Sequence, residues 1–114
     1  MEIIPTTSLD PSNFSVELQG KDHGDPGLSL ILVDAAPGRG PSLHTHPYAE
    51  IMIVQEGSAT FTDGETETEV TAGHVVVIPA GEPHGFKNTG GTRLKQIDIH
   101  VADAFQTDWL EGQS

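Results

Sequence analysis

Residues 38–57 read GRGPSLHTHPYAEIMIVQEG and place three candidate metal ligands close together: His44, His46 and Glu50. In an extended strand, side chains two positions apart leave from the same face, so His44 and His46 point the same way. Glu50 is in phase with them if the chain stays extended past Pro47. Two imidazoles and a carboxylate in this arrangement can occupy one side of a metal's coordination sphere. The stretch therefore indicates a metal site on or near a β-strand.

A second stretch, residues 73–88, reads GHVVVIPAGEPHGFKN and carries a fourth candidate ligand, His84. Neighbouring antiparallel strands bring facing side chains within about 5 Å of each other, close enough to share one ion. A bare His-x-His pair is a weak signal in a chain of 114 residues with six histidines, because such pairs arise by chance. The metal-site hypothesis therefore depends on the spacing of both stretches together.

The two stretches resemble the two signature motifs of the cupin superfamily. The first motif runs Gly, five residues, His-x-His, three or four residues, Glu, six residues, Gly, and it matches from Gly38 to Gly57. The second runs Gly, five residues, Pro-x-Gly, two residues, His, three residues, Asn, and it matches from Gly73 to Asn88. The resemblance implies a small jelly-roll β-barrel that holds one divalent transition metal ion. Its implied ligands are His44, His46, Glu50 and His84.

Other roles for these residues stay open on the sequence alone. The three histidines could be ordinary surface residues, and Glu50 could hydrogen-bond an imidazole instead of binding the metal. Glu50 could also leave the metal and act as a base toward a bound substrate. Asn88 fits a turn residue better than a ligand, and His23 and His74 are expected to be solvated.

The remaining pattern predicts an all-β fold, because about nine short strands alternate with turn signals and almost no helical periodicity is present. The expected strands cover residues 14–18, 28–36, 42–47, 51–55, 58–62, 65–70, 75–78, 84–88 and 92–101. Asp63-Gly64 is a short-hairpin signal between two of them. This spacing is typical of a sandwich or barrel.

The chain is expected to form a single domain over residues 1–114, with a core barrel at about 12–102. Residues 1–11 are predicted to be an arm that lies on the domain or pairs at a sheet edge. Residues 103–114 are predicted to form a short helix or a packed tail, since Phe105, Trp109 and Leu110 have helical spacing.

Several side chains are expected to line a largely apolar pocket around the ion. Met52 and Val54 continue the face of the first-motif ligands, and Phe86 continues the face of His84. His100 shares a face with Gln96 and Asp98, but periodicity does not tell whether that face is inside or outside. The predicted pocket residues are Tyr48, whose hydroxyl would sit at the rim, Met52, Val54, Phe61, Phe86 and His100.

Charge and composition narrow the classes of partner. Seventeen acidic residues against five basic ones give a formal charge of −12, which repels nucleic acids and anionic membranes. The chain has no cysteine, so any metal must be held by His, Asp or Glu. The N-terminus lacks the features of a signal peptide and no apolar run reaches membrane-spanning length, so a cytoplasmic protein is expected.

The leading functional hypothesis is a metal-dependent enzyme that acts on a small organic molecule. Oxygenase, isomerase and cyclase chemistry are all compatible, with a dioxygenase-like reaction favoured. The alternatives are a non-catalytic module or sensor that binds a metal or small ligand, and a barrel that the metal only braces. Fe, Mn, Ni, Co, Zn and Cu all accept this ligand set. A homodimer is expected, with the N-terminal arm or an exposed edge strand at its interface.

Overall fold

The computed structural model describes residues 1–111 of the chain. Eleven strands and two short 3-10 helices, Thr6–Ser8 and Gly20–Asp22, make up the regular structure of this part. The strands are β1 (Asp10–Pro11), β2 (Ser15–Leu18), β3 (Ser29–Ala35), β4 (His44–Thr45), β5 (Glu50–Glu56), β6 (Ser58–Thr62), β7 (Glu67–Thr71), β8 (His74–Ile78), β9 (Gly85–Lys87), β10 (Leu94–His100) and β11 (Asp108–Trp109). Within residues 1–111 there is no α-helix and no helix able to span a membrane.

The strands form three antiparallel sheets. The largest has the order β1-β2-β3-β10-β5-β8, a second has the order β7-β6-β9, and β11 pairs with β4. The predicted all-β jelly roll is confirmed, although its strands form separate hydrogen-bonded sheets and not one closed barrel. An isolated antiparallel bridge between His44 and His84 links the start of β4 to the approach to β9.

The core lies between the two larger sheets, and strand alternation explains its composition. On β5, Met52 and Val54 point inward while Ile51 and Ile53 point outward. Aromatic rings on β6 and β9 stack with centroids 5.3 Å apart, a favourable separation for such pairs. The buried apolar residues are Val33, Ala35, Met52, Val54, Ala59, Phe61, Ile78, Phe86 and Leu94.

Gly57 shows why the first motif ends on glycine. It connects β5 to β6 with a φ of +82°, a conformation that is unfavourable for residues with a side chain. A Cβ at this position would also lie 2.5 Å from the carbonyl oxygen of Arg93. The turn from β5 to β6 therefore has both a conformational and a steric requirement for glycine.

Of the two alternatives for the tail, a short helix and a packed tail, the structure has the second. Within the described residues the tail is not helical, because Asp108 and Trp109 pair with Thr45 and His44 as an antiparallel strand. Residues 112–114, also part of that prediction, lie outside the described part.

The predicted hairpin at Asp63-Gly64 also differs from expectation. Its connection is longer than two residues, because β6 ends at Thr62 and β7 starts at Glu67. The Asp63 carboxylate stabilises this longer connection by accepting hydrogen bonds from the backbone N–H groups of residues 65 and 66.

Candidate metal centre

The two motif stretches meet through backbone hydrogen bonds. The N–H of His44 donates to the carbonyl of His84, and the N–H of His84 donates back, both at 2.9 Å. His46 lies in the turn after β4, and Glu50 opens β5. His44, His46, Glu50 and His84 are all buried, and one possible ligand atom from each lies within 4.8 Å of the others. The structure therefore brings the four candidate ligands of the two motifs into one cluster.

Backbone carbonyls fix the tautomers of the three histidines. The Nδ1 atoms of His44, His46 and His84 lie 2.7–2.9 Å from backbone oxygens. Because a carbonyl only accepts, each Nδ1 carries the hydrogen, and each Nε2 of a neutral ring presents a lone pair. The Nε2 atoms of His46 and His84 face Glu50 Oε1 at 3.2 and 3.0 Å. A lone pair facing a carboxylate oxygen is repulsive unless a proton or a metal cation lies between them.

A divalent metal ion satisfies this requirement for both rings at once. Metal–nitrogen and metal–oxygen bonds of about 2.1 Å place adjacent ligands of an octahedral ion about 3.0 Å apart. The two distances from imidazole nitrogen to Glu50, 3.2 and 3.0 Å, agree with such edges. In addition, His46 Nε2 is buried without a well-aligned hydrogen-bond partner in the described part of the chain. The chemistry and spacing of these groups fit a divalent metal.

The electrostatics of the cluster differ from residue to residue. Burial alone would raise the pKa of Glu50, but the contacts of its carboxylate with the His100, His46 and His84 rings outweigh burial and hold that pKa well below its usual range. Burial lowers the pKa of His44 to about 4. Burial also disfavours protonation of His84, but the hydrogen bond to Glu50 outweighs it and raises the pKa of His84. His84 is therefore a site where a metal ion competes with a proton.

Metal affinity is expected to fall about tenfold per pH unit as the pH drops below the raised pKa of His84. That pKa lies above the ordinary value of 6.5, so at lower pH the ion must displace one proton from this ring. His44 does not compete until about pH 4, and Glu50 is already ionised. Competition titrations with Zn²⁺ between about pH 8 and about pH 5 measure this slope. An affinity that does not change over this range would contradict the assignment.

His100 and Tyr48 form a second layer behind Glu50. The polar face of β10 points inward. It places His100 Nε2 3.2 Å from Glu50 Oε2, a close contact that is not well aligned for a hydrogen bond. The N–H of Gln106 donates to the Tyr48 hydroxyl, and this hydroxyl lies 2.7 Å from His100 Nδ1. Because a carboxylate only accepts and the hydroxyl can donate to Nδ1, His100 Nε2 can carry the ring hydrogen and direct it at Glu50. His100 thus contacts one oxygen of Glu50 and leaves the other facing the histidine cluster.

Replacing His100 by leucine is expected to weaken metal binding about 10- to 100-fold, the range typical of residues that orient metal ligands. Tyr48→Phe is expected to have a smaller effect in the same direction, because the ring that stacks on His46 with centroids 5.1 Å apart is kept. Zn²⁺ competition titrations measure both. His74→Leu, at an exposed histidine, is the matched control. Wild-type affinity in both His100→Leu and Tyr48→Phe would rule out this positioning role.

A cavity of about 170 Å³ opens directly on the metal cluster. Met52, Phe86 and His100, three of the predicted pocket residues, line it. Val54 and Phe61 do not, because they point into the apolar core between the sheets. Tyr48 does not line it either, because its hydroxyl is directed at the His100 ring. The lining comprises Ser12, Phe14, Ser15, Glu17, Ile31, Pro41, His44, His46, Glu50, Met52, Phe86, Asp98, His100, Phe105, Thr107 and Trp109.

Several lining residues are not among those the sequence predicts for the pocket. The sequence places Asp98 on the same strand face as His100 but does not tell whether that face is inside or outside. Glu17 could not have been found by alternation, because Val16 and Leu18 are the apolar residues of β2 and yet the face of Ser15 and Glu17 is the one that turns to the cavity. Trp109 could not, because only the folded tail brings its ring to the cluster, 4.9 Å from the His44 ring.

The other polar residues singled out in the sequence have structural roles. Asn88 is a buried turn residue, as predicted: its amide donates to the carbonyls of Ala35 and Thr92. His74 is exposed. His23 is not simply solvated, because its Nδ1 lies 2.9 Å from the carboxylate of Glu2 in the N-terminal arm.

Comparisons with known proteins agree with this architecture. The family profile described as "Cupin domain" matches residues 31–100. Nectarin-1 from Nicotiana plumbaginifolia is 35% identical over 94 residues, which cover 77% of this chain and 39% of that protein, so the chain spans about two-fifths of its length.

Solved structures extend the likeness to nearly the whole chain. A protein with a double-stranded β-helix domain from Klebsiella pneumoniae superposes with a TM-score of 0.76 at 19% identity, over 98% of this chain and 99% of that one. Oxalate oxidase in complex with the substrate analogue glycolate superposes with a TM-score of 0.76 at 25% identity, over 95% of this chain and 63% of that one. With both motifs, the profile match and the fold in agreement, the chain belongs to the cupin family.

Proposed function

We propose that this cupin is a metal-dependent enzyme that converts a small organic molecule in the cavity beside His44, His46, Glu50 and His84. The observation that carries the proposal is that four convergent side chains, all able to bind a metal, lie together beside a cavity. A metal that only braced the fold would need no such opening. Four protein ligands also leave up to two positions of an octahedral ion for substrate, water or dioxygen.

The bound ion would supply Lewis-acid or redox chemistry. The three histidines hold their Nε2 atoms toward the centre of the cluster through backbone hydrogen bonds, and His100 keeps Glu50 in place. Phe14, Phe86 and Trp109 present apolar surface that limits water around the reacting molecule. In this proposal, oxygenase-type chemistry is favoured over isomerase or cyclase chemistry.

Proton transfer is better suited to Asp98 than to Glu50. A carboxylate whose pKa is held well below its usual range, as at Glu50, is a weak base. Burial, together with the charge of Glu50, raises the pKa of Asp98 well above its usual value. A cavity-lining carboxyl group with a raised pKa accepts a proton more readily than one whose pKa is lowered. The proposal therefore keeps Glu50 as a ligand and gives Asp98 the proton-handling role.

Turnover by the metal-loaded protein tests the function. The protein is stripped with chelator, reloaded with Fe(II), Mn(II) or Co(II), and mixed with a panel of small hydroxy and keto acids, diols and enediols. Dioxygen uptake and product formation by NMR are followed. Turnover that is lost in His46→Ala and retained in His74→Ala supports an enzyme. Binding of panel compounds with no turnover for any metal would instead support a binding module or sensor.

For assembly, we propose a homodimer formed through the outer face of the six-stranded sheet. Two rows of aliphatic side chains cross this face, and none of these side chains is fully buried. Val75 and Val77 are 58% and 63% exposed. The rows contain no charge in a chain of net charge −12, so two copies can meet here without facing acidic groups. Each row crosses five strands in register: Leu18, Leu30, Ile99, Ile51 and Val77, then Val16, Leu32, Ile97, Ile53 and Val75.

Light scattering is expected to give twice the chain mass of 12.1 kDa for the wild type. The double variant Val75→Lys and Val77→Lys places two charges on the exposed edge of the face and is expected to give a monomer. The double variant Thr68→Lys and Thr71→Lys, at exposed positions of β7 in the other sheet, is the matched control and is expected to stay dimeric. A wild-type monomer at micromolar concentration would remove the proposal.

The cytoplasmic location and the absence of nucleic-acid and membrane partners stay predictions. The expected absence of nucleic-acid and membrane partners derives from the acidic composition of the chain, which repels polyanions. Fractionation of the native host tests the location.

A further inference from the structure

The cavity beside the metal cluster contains no lysine or arginine. The chain has five such residues, and all of them lie outside the lining: Lys21, Arg39, Lys87, Arg93 and Lys95. The carboxyl side chains of the lining are Glu17, Glu50 and Asp98. In the metal-loaded protein the ligand histidines present neutral imidazoles to the ion. The other histidine of the lining, His100, has both ring nitrogens engaged, Nε2 at 3.2 Å from Glu50 Oε2 and Nδ1 at 2.7 Å from the Tyr48 hydroxyl. The positive charge available to a bound molecule therefore comes from the metal ion.

The metal site can neutralise only one negative charge on a substrate. A divalent ion bound to the Glu50 carboxylate and three neutral imidazoles keeps one net positive charge. A singly charged anion brings the site to neutrality, whereas a dianion leaves it negative. Excess negative charge in a buried site is costly when no cation compensates it.

Two carboxyl groups of the cavity wall, those of Glu17 and Asp98, lie next to the metal cluster in the six-stranded sheet. Strand register places Glu17 and Asp98 on either side of Ile31 in one row across three strands. The next row on the same face pairs His100 of β10 with Glu50 of β5. Asp98 is 3% exposed, so its carboxyl group belongs to the buried wall. A substrate that extends from the metal into the cavity therefore meets carboxyl oxygens at its far end.

From this arrangement we propose that the substrate is a small hydroxy compound with at most one negative charge, whose hydroxyl faces Asp98 and Glu17, and that dicarboxylates are rejected. The inference rests on the proposed function and specifies its substrate class. A hydroxyl donates to the carboxyl oxygens of the wall, whereas a second carboxylate finds no cation there. The cavity volume of about 170 Å³ is below the range of roughly 300–1,000 Å³ typical of small-molecule pockets, which favours a compact molecule.

The proposed substrate class differs from that of a solved relative. Oxalate oxidase, at 25% identity, is by its name an enzyme of a dicarboxylate. The shared fold does not transfer that substrate, because residues outside the two motifs set the charge of the cavity wall. Glu17 and Asp98 both lie outside residues 38–57 and 73–88.

The test uses Co(II)-loaded protein and two matched probes, glycolate and oxalate. Glycolate has one carboxylate and one hydroxyl, and oxalate has two carboxylates. Binding is read from the visible absorption of cobalt, with free aqueous Co(II) as the reference. We expect the protein to bind glycolate at least about tenfold tighter than oxalate, because the cavity lining offers no cation to compensate the second carboxylate of oxalate. Oxalate binding as tight as glycolate would overturn the inference while leaving the proposed function intact.

Glu17→Arg supplies the missing cation at a half-buried position of the wall. Its oxalate affinity is expected to rise at least about tenfold, with little change for glycolate. Glu69→Arg, on exposed β7, makes the same change of net charge away from the cavity and is expected to leave both affinities unchanged. If Glu17→Arg does not fold, Ser12→Lys at the exposed rim replaces it, with Thr68→Lys as its control.

Two results would count against the inference. Equal gains in oxalate affinity in the cavity and control variants would overturn it, because the wall charge would then have no local effect. A protein that binds no cobalt would overturn it together with the proposed function.

Discussion

Replacing His84 by alanine is expected to weaken divalent metal binding by more than about 100-fold, beyond the effect typical of residues that only orient a ligand. The reason is geometric. His84 is the candidate ligand of the second motif, and its Nε2 lies 3.0 Å from the Glu50 oxygen that faces the cluster. Without it, the remaining candidate ligands come from residues 44–50 alone and occupy one side of the ion. Isothermal titration calorimetry with Zn²⁺ on chelator-treated protein measures the change.

The control for this experiment is a histidine of the same sequence stretch. His74 is exposed at the start of β8, and its Nδ1 contacts the backbone carbonyl of Thr71. His74→Ala therefore removes an imidazole without touching the cluster and is expected to keep wild-type affinity. Equal losses in the two variants, or no loss in His84→Ala, would show that the second motif does not supply a ligand.

Metal binding is expected to raise the midpoint of thermal unfolding by roughly 15 °C when the free metal is about 1,000 times the Kd. At that ratio the folded state gains about 4 kcal/mol, since the unfolded chain has no preformed site. A domain of this size shifts its midpoint by roughly 4 °C for each kcal/mol. Differential scanning calorimetry with and without chelator measures the shift.

The same measurement on His84→Ala separates the site from weak surface binding. A chain of net charge −12 attracts divalent cations non-specifically, and any such effect persists in the variant. The specific effect does not, so the variant is expected to unfold at nearly the same temperature with and without metal. A shift of wild-type size in the variant would place the stabilising ion elsewhere on the protein.

The clustering of the four candidate ligands could be predicted in part from local regularities and in part from the resemblance to the cupin superfamily. Strand alternation puts His44 and His46 on one face, and the pairing of neighbouring strands brings His84 opposite them. The backbone bridge between His44 and His84 is the physical form of that prediction. The position of His84 opposite His44 and His46 followed from the resemblance to the cupin superfamily, since strand geometry fixes the direction of a side chain but not which strands pair.

The orientation of β10 could not be predicted, because both of its faces are plausible interiors. Ile97 and Ile99 would suit a core, and Asp98 and His100 would suit a surface. In the structure the polar face of β10 lies against the cavity, and the isoleucines join the half-buried apolar outer face of the sheet. Alternation gives the period of a strand but does not tell which face is buried when the inner surface is itself polar.

The strand pairing of the C-terminal tail could not be predicted from local sequence patterns, for a different reason. The spacing of Phe105, Trp109 and Leu110 fits a helix, but Trp109 instead pairs with β4 opposite His44. The carbonyl of Gln106 then accepts the hydrogen of Nδ1 on a histidine 60 positions earlier. Contacts over such a distance in sequence leave no periodic trace, so a tertiary partner overrides the local preference.

The most direct test of the account is a crystal structure of the wild-type protein grown with Co²⁺, with anomalous diffraction recorded on both sides of the cobalt absorption edge. We expect a single buried anomalous peak about 2.1 Å from the Nε2 atoms of three histidines and from one oxygen of Glu50. The histidines are His44, His46 and His84. Cobalt found only on surface carboxylates, with these four side chains free of metal, would contradict it.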